Sequence, residues 1–387
     1  MHEQHSASPD AVVIGGGVIG LAVAWRAAQR GLRVTVLERD RPGSGTSRVA
    51  AGMIAPISEA RSTEQPLLRL GLASAHAYPG FISALEEASG MESGYLACGT
   101  IAAARDQDEA AALDRELALR QSLGLPVERL LATDARRLEP SLAPVLRLAL
   151  EVPDDHAIDP RKLCAALAEA AVRSGVELRL GADVASVSII GDRVDAVRLG
   201  SGEELRCEQL VVAAGVWSGA LAGIPDELRV PIRPVKGQIM RLRDPAGAGL
   251  LTRALRMQGS GYIVPRGDGG YVLGATMEER GFDTTVTAGP LFELLRDAIE
   301  MVPGVSELVV EELIAGLRPS TPDNAPAIGP GAIGGLVWAT GHHRHGILLA
   351  PITADVVAGV LAGEEIPDLA AAFTPMRFAG AGVGSAA

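Results

Sequence analysis

Three histidines and an arginine crowd into GHHRHG, residues 341–346, near the end of the chain. Imidazoles at this density could hold a metal ion, but they lack the H-x-x-x-H spacing of a helical metal site and have no cysteine or carboxylate beside them. Arg344 would also repel a cation. An apolar helical pattern follows the stretch, so we expect it to open a helix, whose N-terminus stabilises negative charge. We therefore predict no metal here.

A second chemical pattern is GGGVIG, which has the G-x-G-x-x-G spacing at Gly15, Gly17 and Gly20. In a dinucleotide-binding turn the first glycine allows the tight bend and the second lets the backbone approach a pyrophosphate. The third lets the following helix pack against the sheet. The pyrophosphate then lies on unpaired amides at the helix N-terminus. We predict a dinucleotide site, against the alternative of a structural turn that binds nothing.

The elements that position these glycines follow from the neighbouring residues. AVVI, from Ala11, is typical of a strand buried on both faces. LAVAWRAAQRG predicts a helix that ends at Gly31, and LRVTVLE predicts a second strand that ends at Glu38. Glu38 is thereby placed to accept hydrogen bonds from ribose hydroxyls, and its charge disfavours a 2′-phosphate. NAD and FAD remain as candidates.

The segment RPGSGTSRVAAGMIAP, which follows the second strand, favours FAD. FAD binds in an extended conformation, so a flavoprotein needs a segment that runs along the cofactor from the helix to the ring system. A simple NAD-dependent dehydrogenase has no obvious use for such a loop. Thr46 and Ser47 can hydrogen-bond the phosphates or the ribityl chain, and the backbone of residues 51–53 can lie against the ring. The alternative is a surface loop rich in glycine and serine.

Two later segments repeat the strand–turn–helix pattern: EQLVVAAGVWSGAL from Glu208 and GLVWATGHHRHGILLAPITADVVAGVL from Gly335. With them, the chain resembles the FAD-dependent D-amino acid oxidase family. The resemblance rests on GGGVIG, TSRVAAGMIAP, VKGQIMRLR, GYIVPR, GLRPSTPDNAPAIG and ATGHHRHGILLAP, which occur in this order over nearly the whole chain. TSRVAAGMIAP and GHHRHGILLAP are its most specific parts.

The resemblance implies noncovalent FAD, since none of the three cysteines falls in the C-terminal flavin segment. Val184 would meet the adenine through its backbone. The amides of GHHRHG would face the pyrimidine edge of the ring, where charge accumulates on reduction. The predicted cofactor contacts are Gly15, Gly17, Val18, Ile19, Gly20, Glu38, Arg39, Thr46, Ser47, Ala51, Gly52, Met53, Val184, Gly215, Gly341, His342, His343, Arg344, His345, Gly346, Ile347 and Leu348.

The resemblance also implies an amino-acid substrate whose carboxylate is held by a two-pronged arginine. The matching residue is Arg318 in GLRPSTPDNAP, and Tyr262 in GYIVPR would donate its hydroxyl to the same carboxylate. Arg344 would lie near the substrate entrance. The alternatives are carbonyl capping or surface pairing for Arg318 and a half-buried strand position for Tyr262. His343 and His345 depart from the family, which usually has an aromatic and an asparagine there.

The implied activity is oxidative deamination of glycine or another small amino acid by molecular oxygen. The products would be the imine, or glyoxylate after hydrolysis, with ammonia and hydrogen peroxide. The imine would serve the thiazole branch of thiamine biosynthesis. Oxidation of a D-amino acid or sarcosine, or a dehydrogenase that uses another acceptor, stays open. A flavin-binding protein without turnover is disfavoured, because it has no need of a carboxylate clamp. The family further implies a homotetramer.

The overall composition of the chain limits its domain number, its partners and its cellular location. The chain has 387 residues, 48% of them hydrophobic, which predicts two or three folded domains. Its formal charge of −12 argues against nucleic acid as a partner. The first apolar run lacks the basic flank of a signal peptide and no run is long enough for a membrane span. The odd number of cysteines disfavours disulfides, so we expect a cytoplasmic protein.

We predict an α/β protein in which a Rossmann-type FAD-binding domain with a parallel sheet is interleaved with a mainly antiparallel α+β substrate domain. The parallel sheet is expected to carry helices on both faces, and the active site should lie where the domains meet. The predicted bounds are 10–80, 150–225 and 315–370 for the FAD domain, 81–149 and 226–314 for the substrate domain, and 1–9 and 376–387 for disordered tails.

Overall fold

The structure is a computed structural model that describes residues 8–247 and 249–379. Its α-helices are α1 (Val18–Gln29), α2 (Thr46–Val49), α3 (Gln65–Ser89), α4 (Gln107–Ser122), α5 (Ala132–Leu138), α6 (Pro160–Arg173), α7 (Ala288–Met301), α8 (Ala350–Leu361) and α9 (Asp368–Ala371). Its strands are β1 (Ala11–Ile14), β2 (Val34–Glu38), β3 (Met53–Ile54), β4 (Tyr95–Leu96), β5 (Thr100–Ala104), β6 (Glu128–Leu130), β7 (Leu148–Val152), β8 (His156–Ile158), β9 (Glu177–Leu180), β10 (Val184–Ile190), β11 (Arg193–Leu199), β12 (Glu204–Arg206), β13 (Leu210–Val212), β14 (Arg233–Arg243), β15 (Ala254–Met257), β16 (Tyr262–Pro265), β17 (Gly270–Gly274), β18 (Val309–Ser320), β19 (Ala327–Pro330) and β20 (Leu336–Thr340).

One sheet has six strands in the order β19-β20-β13-β1-β2-β9. All its pairs are parallel except β19 with β20. The central strand β1 is the buried strand that the sequence predicts, and its residues alternate between the two faces. Ala11 and Val13 pack with the helices, whereas Val12 and Ile14 belong to the core on the opposite face. Since parallel strands end at one edge, the turn after β1 meets Glu38 at the end of β2.

The two faces of this sheet are covered differently. Helices α1, α3, α6 and α8 pack on one face. The other face is covered by β10, β11 and β12, an antiparallel sheet that contributes Val187, Val194 and Val197 to the core. The prediction of helices on both faces is therefore wrong. VASVSII and RVDAVRL are β-branched runs joined by the two-residue turn Gly191-Asp192, and such a pattern forms a hairpin.

A second sheet has eight strands in the order β18-β14-β17-β16-β15-β5-β7-β6. Its pairs are antiparallel except β15 with β5. Helix α7 packs on one face and α4 on the other. On the α4 side, Ile239 and Val264 contact Val49 and Ala51 from the segment after β2. That segment therefore lies between the two large sheets.

The predicted fold class is confirmed, while the domain boundaries stay predictions. Helix α3 continues through the boundary drawn at residue 80, and β18 continues through the one drawn at 314. The predicted disorder is wrong at the start of the C-terminal tail: residues Pro375–Phe378 form a 3-10 turn, and Arg377 donates to Asp323 at 2.8 Å. The predicted tails at 1–7 and 380–387 lie outside the described residues. None of the described helices is long and apolar enough to cross a membrane.

Candidate active site

A cavity of about 690 Å³ lies between the two large sheets and begins at the turn from β1 to α1. Gly15 has φ of +105°, and a Cβ atom there would lie 2.6 Å from the carbonyl oxygen of Ala213. A Cβ atom on Gly20 would lie 1.9 Å from the carbonyl oxygen of Gly15. Gly17 instead borders the cavity, where an added Cβ atom would meet only Ser47 Oγ at 3.4 Å. The three glycines thus serve the turn, the helix packing and the approach of a ligand to the backbone.

Side chains fix this turn to the ends of the neighbouring elements. The amide of Val18 donates to Ser47 Oγ at 3.0 Å. Glu38 accepts from the amides of Gly16 at 2.7 Å and Asp40 at 2.8 Å. A carboxylate has about four acceptor sites, so Glu38 keeps capacity for ribose hydroxyls. The arrangement fits a dinucleotide that passes over the N-terminus of α1.

The end of the cavity nearest Glu38 contains a tryptophan that the sequence analysis missed. The guanidinium of Arg39 lies 3.8 Å from the centroid of the Trp217 ring, in a cation–π contact. Val184 lines the cavity as well. Trp217 follows the Ala-Gly turn after β13 by two residues, and this position was the signal that could have identified it.

Residues of the segment 46–53 line the part of the cavity that extends toward the eight-stranded sheet. The hydroxyl of Thr46 donates to the carbonyl of Leu317 at 2.6 Å, so its hydrogen is already engaged and only its oxygen can bind a ligand. Arg266 is almost fully buried and donates to the carbonyls of Ala51 at 2.6 Å and Ile158 at 3.1 Å. Burial lowers the pKa of Arg266 to about 10. These bonds fix the backbone that the sequence predicts to lie against a flavin ring.

Arg318 lies on the opposite wall. Its guanidinium extends across Gly237 of β14, where a Cβ atom would lie 2.5 Å from Nη1. Nη1 donates to the carbonyls of Thr276 at 3.0 Å and Lys236 at 3.3 Å. One nitrogen of the fork is thereby held by the backbone, and the side chain borders the cavity. A carboxylate in the cavity would meet a positioned cation.

Tyr262 begins β16 and borders the same wall. Burial raises the pKa of its hydroxyl, while the positive charge of Arg318 opposes that rise. The phenol is therefore protonated at neutral pH and can donate a hydrogen bond. The structure brings together the two residues that the sequence assigns to carboxylate binding.

The histidine stretch does not open a helix directly, so that prediction is wrong in position. Residues His343–His345 form a 3-10 turn, and α8 begins only at Ala350. His342 Nε2 lies 3.0 Å from Thr353 Oγ1, and His343 Nδ1 lies 2.6 Å from Ser320 Oγ. Burial is the main cause that lowers the pKa of both His342 and His343 to about 3. Both imidazoles are neutral at physiological pH.

Arg344 is engaged by acidic residues. Its Nε lies 3.1 Å from Glu59 Oε2 and its Nη2 lies 3.6 Å from Glu64 Oε2. It also donates to Nε2 of His345 at 3.1 Å. Arg344 lines the cavity, and its place near the substrate entrance stays a prediction. The carboxylates of Glu59 and Glu64 already balance its charge.

Two buried ionisable side chains, those of Asp155 and Arg120, hold the turn that carries Glu59 in place. Asp155 accepts from the amides of Ile57 at 3.0 Å and Ser58 at 2.6 Å. Arg120, which is only 2% exposed, donates to the carbonyl of Ile57 at 2.8 Å and also to that of Ser58. Burial raises the pKa of Asp155 to about 7. No sequence motif joins these three segments, so this support could not be predicted.

All the predicted site residues line the cavity except Gly20 and Gly341. Gly20 lies behind the turn, where the close approach of α1 requires it. Gly341 has φ of +75°, and a Cβ atom there would lie 2.5 Å from Thr321 Cγ2. Cavity residues that the sequence analysis missed include Glu59, Arg61, Trp217, Arg256, Met257 and Met277.

Within residues 8–247 and 249–379, no group of three or more metal-ligating side chains could hold an ion.

The site has three features of a dinucleotide-dependent enzyme: a glycine turn at a helix N-terminus, an acid at the end of the next strand, and a long cavity that reaches an arginine. The sequence matches the family model of the FAD dependent oxidoreductases called DAO over residues 10–360. The chain belongs to this family and its cofactor is FAD, which the described residues fit.

Named relatives cover nearly the whole chain. The bifunctional protein ThiO/ThiG of Synechocystis sp. is 36% identical over 95% of this chain. This chain spans 54% of that relative, about half its length. Glycine oxidase of Geobacillus kaustophilus is 34% identical, with 96% of this chain and 97% of the relative covered. A crystal structure of glycine oxidase from that organism has a TM-score of 0.89 at 33% identity and covers 96% of this chain and 99% of its own.

Another relative is named for a different activity. The hydrogen cyanide synthase subunit HcnC of Pseudomonas aeruginosa is 32% identical, with 95% of this chain and 96% of the relative covered. Similar identity to relatives with different names means that the family alone does not define the reaction.

Proposed function

We propose that the protein is an amino acid oxidase of the glycine oxidase type. It oxidises glycine, and other small amino acids, to the imine, which water converts to glyoxylate and ammonia while oxygen is reduced to hydrogen peroxide. The observation that carries the proposal is the pairing of Arg318 and Tyr262 on a cavity wall that is continuous with the dinucleotide turn. The similarity to glycine oxidase over nearly the full length supports it.

Bound FAD supplies a ring that accepts a hydride from the carbon next to an amine. The chain supplies position and charge. Arg318 and Tyr262 hold the carboxylate, which fixes the adjacent carbon relative to the segment at residues 51–53. The substrate amine must lose its proton before it reacts, and the substrate then supplies the hydride itself. No protein base at the carbon is needed.

We propose thiamine biosynthesis as the setting, in which the imine of glycine serves the thiazole branch. The similarity to ThiO/ThiG supports this role. We also propose a cytoplasmic homotetramer, noncovalent FAD, and a substrate domain separate from the FAD domain. A carboxylate-containing amine other than glycine, such as sarcosine or a D-amino acid, would use the same clamp and remains the principal alternative.

Because a relative of similar identity is named a hydrogen cyanide synthase subunit, similarity alone does not fix the reaction. The second candidate is a dehydrogenase that passes electrons to an acceptor other than oxygen. An aerobic assay with glycine, sarcosine and D-alanine separates the candidates when peroxide and the keto product are measured together. Stoichiometric peroxide and glyoxylate from glycine support the oxidase. Turnover that requires an added artificial acceptor and yields no peroxide would establish the dehydrogenase instead.

A further inference from the structure

Ser320 and His343 form a hydrogen-bonded pair beside Arg318. Ser320 Oγ lies 2.6 Å from His343 Nδ1. Ser320 and Arg318 are two residues apart in β18, and residues two apart in a strand project from the same face. His343 therefore lies on the Arg318 side of the strand, and it borders the cavity. Its φ of +48° is left-handed, which is uncommon for a residue other than glycine, so the turn holds it in a defined position.

The partner of Nδ1 defines the tautomer of His343. Ser320 is fully buried, and within the described part of the chain its hydroxyl has no acceptor other than Nδ1. A buried hydroxyl hydrogen without an acceptor is unfavourable, so Ser320 donates to Nδ1. The imidazole hydrogen is then on Nε2. Burial of Ser320 also excludes it as a nucleophile, although a serine–histidine pair has that role in other enzymes.

The imidazole presents this N–H group as a neutral donor. The charged groups around it are Arg318 from β18, Arg344 from its own turn and Arg233 from β14, and all three disfavour protonation of the ring. The neighbouring His345 acts in the same direction. Among residues 8–247 and 249–379, Nε2 of His343 has no hydrogen-bond partner in the protein. A donor on a cavity wall in a positive field is suited to an anion.

We propose that the Nε2–H group of His343 is a third donor to the substrate carboxylate, beside Arg318 and Tyr262. A carboxylate has about four acceptor sites. An arginine fork occupies two of them, and two remain for the tyrosine hydroxyl and the imidazole. His343 is thereby a specificity residue that favours carboxylates over uncharged amides. This assignment rests on the proposed function, because it takes the ligand of Arg318 to be a carboxylate.

Acetate tests the proposal, since it has the carboxylate but no amine to oxidise. Titration of the FAD holoenzyme, followed by the visible flavin spectrum, gives the Kd for acetate. H343F keeps a ring without a donor and is expected to raise this Kd about tenfold. H343Q returns an N–H donor and should restore the Kd to within about threefold. In glycine turnover, H343F should raise KM and leave kcat within about twofold, as expected for lost ground-state binding.

An unchanged acetate Kd in H343F with full FAD occupancy overturns the proposal. A shifted flavin reduction potential without a change in acetate affinity also overturns it, because the ring would then face the cofactor. If H343F fails to bind FAD, S320A is used instead. This substitution removes the hydrogen bond that orients the His343 ring, so it is expected to weaken acetate binding as well. The test needs no turnover: acetate binding that depends on His343 in a protein unable to oxidise glycine would leave this inference intact and overturn only the proposed function.

Discussion

Arg318 shows how one residue is prepared for a ligand by its surroundings. Its Nη1 is held by two backbone carbonyls, and Gly237 leaves the space across which the guanidinium lies. A larger residue at 237 would collide with the fork. The sequence predicted the role of Arg318 through a family resemblance, but it could not show that glycine on a neighbouring strand makes the space.

R318K should raise the KM for glycine about 100-fold, or about 3 kcal/mol, because a point charge cannot replace a bidentate fork. Steady-state kinetics measure the change. R61K is the matched control, since Arg61 borders the cavity but its side chain is 58% exposed at the rim. Equal effects of the two substitutions would show that Arg318 contributes only general positive charge.

At the scale of elements, the glycine turn could be predicted from the sequence, whereas the elements that pack on each face of the six-stranded sheet could not. GGGVIG lies between a β-branched strand and an alanine-rich helix, and its three glycines have the local roles that their spacing predicts. The strands over the other sheet face have equally local signals, since the turn residues GDR and GSGEE predict three short strands, but nothing local indicates which face of the sheet they cover. The turn at Glu59 is different, because Asp155 and Arg120 reach it from distant segments. Such contacts become visible only in three dimensions.

Two substitutions in the turn should separate cofactor binding from stability. G17A places a methyl group where the ligand passes but touches only Ser47 Oγ in the protein. It should weaken FAD binding at least tenfold and leave thermal unfolding of the apoprotein nearly unchanged. G20A places the methyl group 1.9 Å from a carbonyl oxygen. It should therefore lower both the affinity for FAD and the melting temperature of the apoprotein. Apoprotein melting and FAD titration measure the two effects, and similar melting of both variants would contradict this account.

At the scale of the whole molecule, buried neutral histidines link stability to pH. The pKa of His342 and that of His343 fall from 6.5 to about 3 on folding. Between these values the unfolded chain binds protons that the folded protein does not, so stability is lost as the pH falls from about 6.5 to about 3.

Each of these histidines should therefore decrease the free energy of unfolding by about 2 kcal/mol between pH 7 and pH 5. H343F removes one of the two groups, and its stability should fall by about 2 kcal/mol less than that of the parent over this interval. Urea unfolding at both pH values, with FAD in excess, measures the difference. Parallel losses in the two proteins would show that His343 is protonated in the folded state.

The proposed function depends on one reaction, the transfer of a hydride from a small amino acid to bound FAD. Anaerobic mixing of the purified yellow protein with glycine, followed by admission of air, tests it most directly. We predict that glycine bleaches the flavin and that air restores the colour with release of peroxide. A flavin that keeps its colour with glycine, sarcosine and D-alanine alike would contradict the assignment of this cavity to amino acid oxidation.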